Sequence, residues 1–246
     1  MVRWGAVTGN ATSELESNLA EVALALFAPG TLEGTLQRIV NLAVATIDGC
    51  DAAGVFIAEN GQVTTAASTD PVVLVLDQLQ IDTDEGPCLT AVAEEGTVYA
   101  DDLANNQRWS QFGPAAVDAG IRSVLAFRLS ARRASALNLY ATMPAAFGAT
   151  DRAKGLIFAT LAGIALDTAE QRADDEKRND NLHQALRTRE LIGQAQGILM
   201  ERERITGDQA FDILRRASQH LNIKIREVAR TLIETGETPE HPAAPT

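Results

Sequence analysis

Residue types able to do chemistry are few and unevenly placed in this 246-residue chain. Cys88 follows Gly86 and Pro87 at an expected helix start, where terminal amides lower a thiol's pKa and favour reaction with oxidants. Packing in a core is the commoner fate of a cysteine, and both readings stay open. Asp82, Asp84 and Glu85, like Asp101 and Asp102, have the type needed for general acid/base work or a hard cation. No other convergent group lies near them in sequence, so they read as solvated loop carboxylates. Histidine is absent before His183, and Cys50 and Cys88 are the only cysteines, so the N-terminal part has too few ligands for an ordinary zinc site or a histidine-bound haem. Neither G-x-x-x-x-G-K-S/T nor G-x-G-x-x-G occurs, which removes the nucleotide-cradling loops. No catalytic constellation emerges, and neither an enzyme nor a resident cofactor is expected.

A second chemically dense stretch is polar and basic: Arg215, Arg216, Ser218, Gln219, Asn222, Lys224 and Arg226. Arginine forks suit phosphate and stack on unpaired bases, while Ser, Gln and Asn hydrogen-bond base edges. A solvated helix face is the plainer account of such a cluster. At 100° per residue, Leu191, Ile192, Ala195, Ile198 and Leu199 share one arc, as do Ala210, Leu214, Ala217 and Leu221, then Ile225, Val228, Ala229 and Leu232. Three amphipathic helices are therefore expected over 187–236. Thr206 and Gln209 form a capping box for the second, Asn222 is positioned to cap the third, and Gly236 with Pro239 ends it. Opposite the first core arc lie Gly193, Gly197 and Met200, with Leu186 earlier. Two mid-helix glycines four apart suggest that another backbone comes close, whether RNA, a second helix or the bundle itself.

Positioning those residues requires two globular units, given the length and an apolar content of 46%. Residues 1–186 hold 12 Lys and Arg against 24 Asp and Glu, 187–236 hold 9 against 7, and 237–246 hold none against 2. An acidic body repels nucleic acid, so any such contact should be confined to the 187–236 unit. Two cysteines and no basic-then-apolar opening segment predict a soluble cytoplasmic protein with no membrane partner.

Helical spacing marks residues 12–27 and, after Pro29 and Gly30, 32–48. Apolar runs at 52–58 and 63–68 around Asn60 and Gly61 predict a hairpin. The mixed segment 70–85 carries no firm pattern and suits a short helix beside a pocket. A helix over 86–95, a strand over 96–100, a second hairpin over 121–129 and 134–141, and a long helix capped by Asp151 complete an α+β domain over 12–168. Leu156, Ile157, Leu161, Ile164, Ala165 and Thr168 share one side of that helix. Residues 170–181 have almost no apolar character but strong helix formers, predicting a charged helical connector over 169–186 that would fuse its neighbours into one rod. A disordered tail is expected over 237–246. Apolar faces within 12–45 and 150–168 predict a homodimer.

Two family resemblances complete the reading. The pattern A-x-G-I-L-M at Ala195, Gly197, Ile198, Leu199 and Met200 is followed by A-F-x-x-L-R-R-x-S at Ala210, Phe211, Leu214, Arg215, Arg216 and Ser218. K-x-R-x-V-A follows at Lys224, Arg226, Val228 and Ala229. Together they resemble an ANTAR domain, which implies a three-helix module that binds paired hexanucleotide-loop stem-loops in nascent RNA and prevents transcription termination. Gln196 departs from the family, which commonly has a basic residue there. The element order before it, with D-E-G-P-C at 84–88 and G-I-R-S-V-L at 120–125, resembles a GAF domain, implying a sensor pocket near Cys88 that takes an unknown small ligand or stays empty. The resemblance implies an RNA-binding antitermination regulator governed by its sensor. A DNA-binding or purely protein-interacting dimer is the alternative, although duplex DNA is not the expected partner.

Overall fold

Strand alternation sorts the first unit into layers. In the computed structural model, which describes residues 20–59, 62–94, 96–130 and 132–238, the chain divides into two compact units between Ala173 and Asp174. The first holds a five-stranded antiparallel sheet in the order β2-β1-β5-β4-β3, with β1 Ala52–Glu59, β2 Gln62–Ser68, β3 Thr97–Ala100, β4 Ser123–Ser130 and β5 Ala134–Ala141. Leu137, Leu139 and Ala141 face one core, and Ala136 and Tyr140 the other. That is the period of two that a doubly covered strand imposes. Both faces are buried, so β4 and β5 read as nearly continuous apolar runs.

One core lies beneath α1 (residues 20–26), α2 (Leu32–Thr46) and the start of α6 (Ala149–Glu203). Helix α6 crosses β4 closely. A Cβ on Gly163 would stand 2.0 Å from the Leu129 carbonyl oxygen, and one on Gly155 2.7 Å from the Phe127 ring. Glycine is needed at these two crossings because no larger residue leaves room for the strand. The other core lies beneath α3 (Pro71–Thr83), α4 (Pro87–Ala93) and α5 (Phe112–Asp118), and includes Leu76, Trp109 and Phe112.

The α+β class is as expected, and several elements correct the sequence reading. Segment 70–85, which carried no firm pattern, does hold a helix, over Pro71–Thr83, started by Asp70 accepting from the Val72 N–H at 2.8 Å. Helix α5 and a 3-10 turn at Leu103–Asn105 had no sequence signal. Asp151 lies inside α6, and its carboxylate reaches back to the Gly148 N–H at 3.0 Å. The buried arc of α6 is Phe158, Ala159, Ala162, Ala165 and Leu166; Leu156, Ile157 and Ile164 point outward. Of the residues read as sharing one side, Ala165 belongs to the buried arc, while Leu156, Ile157 and Ile164 form a second apolar arc that the sheet leaves uncovered. The Asn60–Gly61 turn, the segment before residue 20 and the tail beyond 238 lie outside the described residues.

The second unit comprises the end of α6, α7 (Gly207–Leu221) and α8 (Ile225–Thr235) around Ala195, Leu199, Ala210, Leu214, Val228, Ala229 and Leu232. Its first helix is not separate: the connector is helical throughout, and α6 runs unbroken through it. Arg204 in the left-handed region, at φ 54, stops α6, and the Thr206–Gln209 capping box starts α7. Asn222 does not cap α8. It ends α7 in the left-handed region, where Asn is tolerated better than most residues, and Lys224 holds the cap position of α8 without a side-chain bond.

Candidate functional site

A polar cluster lies buried in the second core of the sheet unit. Asp77 and Gln80 of α3, Cys88 of α4, and Asn138 and Tyr140 of β5 are each no more than 2% exposed. Thr65 donates to the Asp77 carboxylate at 2.6 Å, and the Tyr140 hydroxyl lies 3.4 Å from it. The Gln80 amide accepts from the Cys88 N–H at 2.8 Å and donates to its sulfur at 3.2 Å, while Asn138 also donates to that sulfur. Gly86 makes this possible. Its φ is +140, and a Cβ there would lie 2.4 Å from the Gln80 side chain. The Asn138 side-chain oxygen, Oδ1, is buried without a hydrogen-bond partner among the described residues.

Burial sets the protonation of this cluster. It pushes the Asp77 carboxyl up to about 6 against the lowering effect of hydrogen bonds from Thr65, Tyr140 and Cys88. Burial and then the Asp77 charge push the Cys88 thiol up, against the lowering effect of hydrogen bonds with Gln80, Asn138 and Tyr140. Cys88 is thus a buried neutral thiol rather than an exposed thiolate. Cys50, on the other side of the sheet, is likewise pushed up to about 12 by burial.

The loop carboxylates have local structural roles. Glu85 accepts from the Gln111 N–H at 2.9 Å, which holds its carboxyl below the ordinary range, and it also accepts from Ser110. Asp102 binds the Arg122 guanidinium at 2.8 Å and caps the 3-10 turn. Among the described residues no group of three or more His, Cys, Asp or Glu is arranged to hold a metal ion.

In the helical unit the basic and polar set is dispersed around two helices. Arg215 pairs with Asp212 at 2.8 Å, and Arg216 donates to the Asp212 carbonyl at 3.3 Å. Successive residues point about 100° apart, so these arginines flank opposite sides of the exposed arc of α7, with Gln219 between them. Ser218 is turned inward and donates to the Ile223 carbonyl at 2.6 Å, which fixes the α7–α8 turn. Lys224 is exposed. Arg226 faces α6, across a groove it lines together with Arg189, Gln196 and Phe211.

Gln196 is tied to the start of α7 by a bond from its amide to the Gly207 carbonyl at 2.9 Å. A Cβ on Gly193 or Gly197 would meet nothing within 4 Å, so packing inside the unit does not require the glycine pair. Met200, 40% exposed, lies on the same outward strip.

Sequence reasoning missed Asp77, Gln80, Asn138 and Tyr140. A signal existed: Asp77 and Gln80, three apart, interrupt the apolar run of α3, and Asn138 interrupts β5.

Comparison with known proteins agrees with this division. The GAF domain family matches residues 30–167, and the ANTAR domain family matches 180–233. No curated protein matched the chain. Among solved structures, the GAF domain of a phosphoenolpyruvate-protein phosphotransferase from Coxiella burnetii superposes with a TM-score of 0.53 at 15% identity, over 68% of this chain and 99% of that one. A free methionine-R-sulfoxide reductase from Neisseria meningitidis, in complex with its substrate, gives 0.51 at 15% identity over 70% and 98%. The N-acylhomoserine lactone dependent LuxR family factor CepR2 from Burkholderia cenocepacia gives 0.51 at 17% over 65% and 99%. At such identities the likeness establishes the fold alone. The family match covers more than half of the sequence, and with it the conclusion is plain: this chain belongs to the GAF domain family and carries an ANTAR domain over residues 180–233.

Proposed function

We infer that the chain is an RNA-binding regulator of transcription termination, in which the ANTAR domain takes stem-loops in nascent RNA under the control of the GAF domain. The observation that carries this reading is the ANTAR match, on a surface where Arg216, Lys224 and Arg226 have no carboxylate partner among the described residues. Unpaired cations are available to phosphate, whereas Arg215 must first leave Asp212. Ser218 and Asn222 serve the turn between the helices, so their part in reading bases is indirect.

Regulation would act through α6, a single helix that contributes residues to both units. The exposed apolar strip of Leu156, Ile157 and Ile164 supports a homodimer, which would present two RNA modules for two loops and gain affinity by linkage. Light scattering that returned only the monomer mass across micromolar concentrations would contradict the dimer.

Filter binding with the full chain tests the recognition itself. Stem-loop RNA should be retained at moderate salt while duplex DNA of the same stem sequence is not. Equal retention of both would favour a DNA-binding protein, and retention of neither at low salt would leave a protein-interacting dimer.

A further inference from the structure

Between α6, α7 and α8 lies a groove of about 600 Å³ whose lining carries two arginines, amides, a hydroxyl and an aromatic ring but no carboxylate. In a chain of net charge −12 that composition is unusual. The neighbouring cleft between α6 and α8 includes Asp180 and Glu227 among its arginines, so a wall free of acid is not general to this unit. Phe211 is 40% exposed on the groove side, although its neighbours in the core arc of α7, Ala210 and Leu214, are fully buried. Among the described residues no hydrogen bond or ion pair engages the side chains of Gln184, Thr188, Arg189 or Arg226. Only Gln196 has a partner, the Gly207 carbonyl, and that bond uses its amide nitrogen and leaves its oxygen available.

We propose that this groove is a nucleotide subsite, in which an unpaired loop base of the RNA lies against Phe211 while Arg189 and Arg226 take the flanking phosphates. This rests on the RNA-binding reading above and adds to it a place and a partner chemistry. An exposed ring offers a face on which any base can stack, and unengaged amides suit the edges of a base removed from its pair. Two arginines without acidic partners supply the charge complementarity that a polyanion requires. A helix from a second copy would bring apolar side chains instead, and would leave the amides and guanidinium groups without partners. The position also gives Gln196 a purpose: where a basic residue would extend freely, its amide joins α6 to α7 and shapes one end of the groove.

The test uses the full chain and RNA hairpins with six-nucleotide loops, carrying 2-aminopurine at one loop position at a time. Control hairpins have the same stem closed by a hexaethylene glycol linker. The wild-type chain should bind looped hairpins more tightly than linker-closed ones, and at one position or more the 2-aminopurine emission should be quenched on binding. Phe211→Leu, which keeps an apolar group but removes the ring plane, should lose roughly tenfold in affinity for looped hairpins. It should also lose the quenching and leave linker-closed hairpins unaffected, whereas Phe211→Tyr should retain both. Thermal unfolding of each variant checks the fold, which Phe211→Tyr protects in any case. Looped and linker-closed hairpins bound equally by the wild type, or a Phe211→Leu chain that still binds and quenches, would overturn the subsite while leaving RNA binding intact. If the Phe211→Leu substitution halves the mass seen by light scattering without changing loop preference, the groove belongs to a second copy and the proposal is wrong. If the wild type binds no hairpin at all, both the subsite and the RNA reading fail.

Discussion

The two polar sets of this chain use the same kinds of side chain to opposite ends. Around Asp77 and Cys88, five polar residues on three elements have been removed from water, and nearly all of their hydrogen-bonding capacity is taken up within the protein. Along α7 and α8 most polar residues remain in solvent, and Lys224 and Arg226 have no partner among the described residues. Removing a buried partner leaves a desolvated group behind, while removing an exposed one leaves water to replace it. The first set should therefore govern stability and its pH dependence, and the second should govern binding with little effect on folding.

Gln80 gives the largest expected contrast. Gln80→Ala leaves the Cys88 N–H without its acceptor and opens a void, and should destabilise the chain by about 4 kcal/mol. Arg216→Ala or Lys224→Ala should change stability by less than about 0.5 kcal/mol. Urea unfolding of the three variants measures both, and comparable losses would erase the distinction between the two sets.

Asp77 comes next. Its carboxyl is pushed up to about 6 by burial, from an ordinary value of 3.8. The folded state therefore holds this proton more tightly than the unfolded chain does. The resulting stabilisation is fully present below about pH 4 and is lost as pH rises through 6, on the order of 3 kcal/mol for a shift of two units. Asp77→Asn has no such proton to lose. Its stability relative to wild type should rise by roughly that amount between pH 4 and pH 8, as measured by denaturant unfolding at both. A constant difference would mean that Asp77 keeps the same affinity for its proton in both states.

How far the sequence could disclose these sets follows the same division. Short apolar runs located the strands, and a period of 3.6 located the core arcs of the helical unit, because apolar burial leaves its signature in spacing. The buried polar cluster depends on residues from α3, α4 and β5 meeting across the sheet, and only interruptions in apolar runs hinted at it. Helix α5 was invisible because Gly113, Pro114 and two alanines give seven residues with no usable period. Leu156, Ile157 and Ile164 were legible as an apolar side of α6, but which of its two apolar arcs the sheet covers depends on the close crossing at Gly155 and Gly163. Phe211 and Arg226 were visible as types, but the groove they line depends on where α6 passes.

Asn222 offers the smallest and sharpest test. Its left-handed conformation, at φ 52, makes it a helix terminator rather than the cap of the next helix. Asn222→Gly should be neutral within a few tenths of a kcal/mol, and Asn222→Ala should cost about 1 kcal/mol. Circular dichroism melts would show this. If Gly proves worse than Ala, the left-handed conformation is not what favours asparagine at this position.

The central claim is that the chain binds RNA through charges on its ANTAR domain, and salt titration tests it most directly. Fluorescence anisotropy of a hairpin RNA with the full chain, from low to high salt, should give a linear fall of log affinity with log salt concentration. Arg216→Ala and Lys224→Ala should each weaken binding of different hairpins similarly and reduce the slope by roughly one. Affinity and slope that are indifferent to both substitutions, while Gly197→Leu abolishes binding in a folded chain, would place the RNA on the glycine strip and contradict the account.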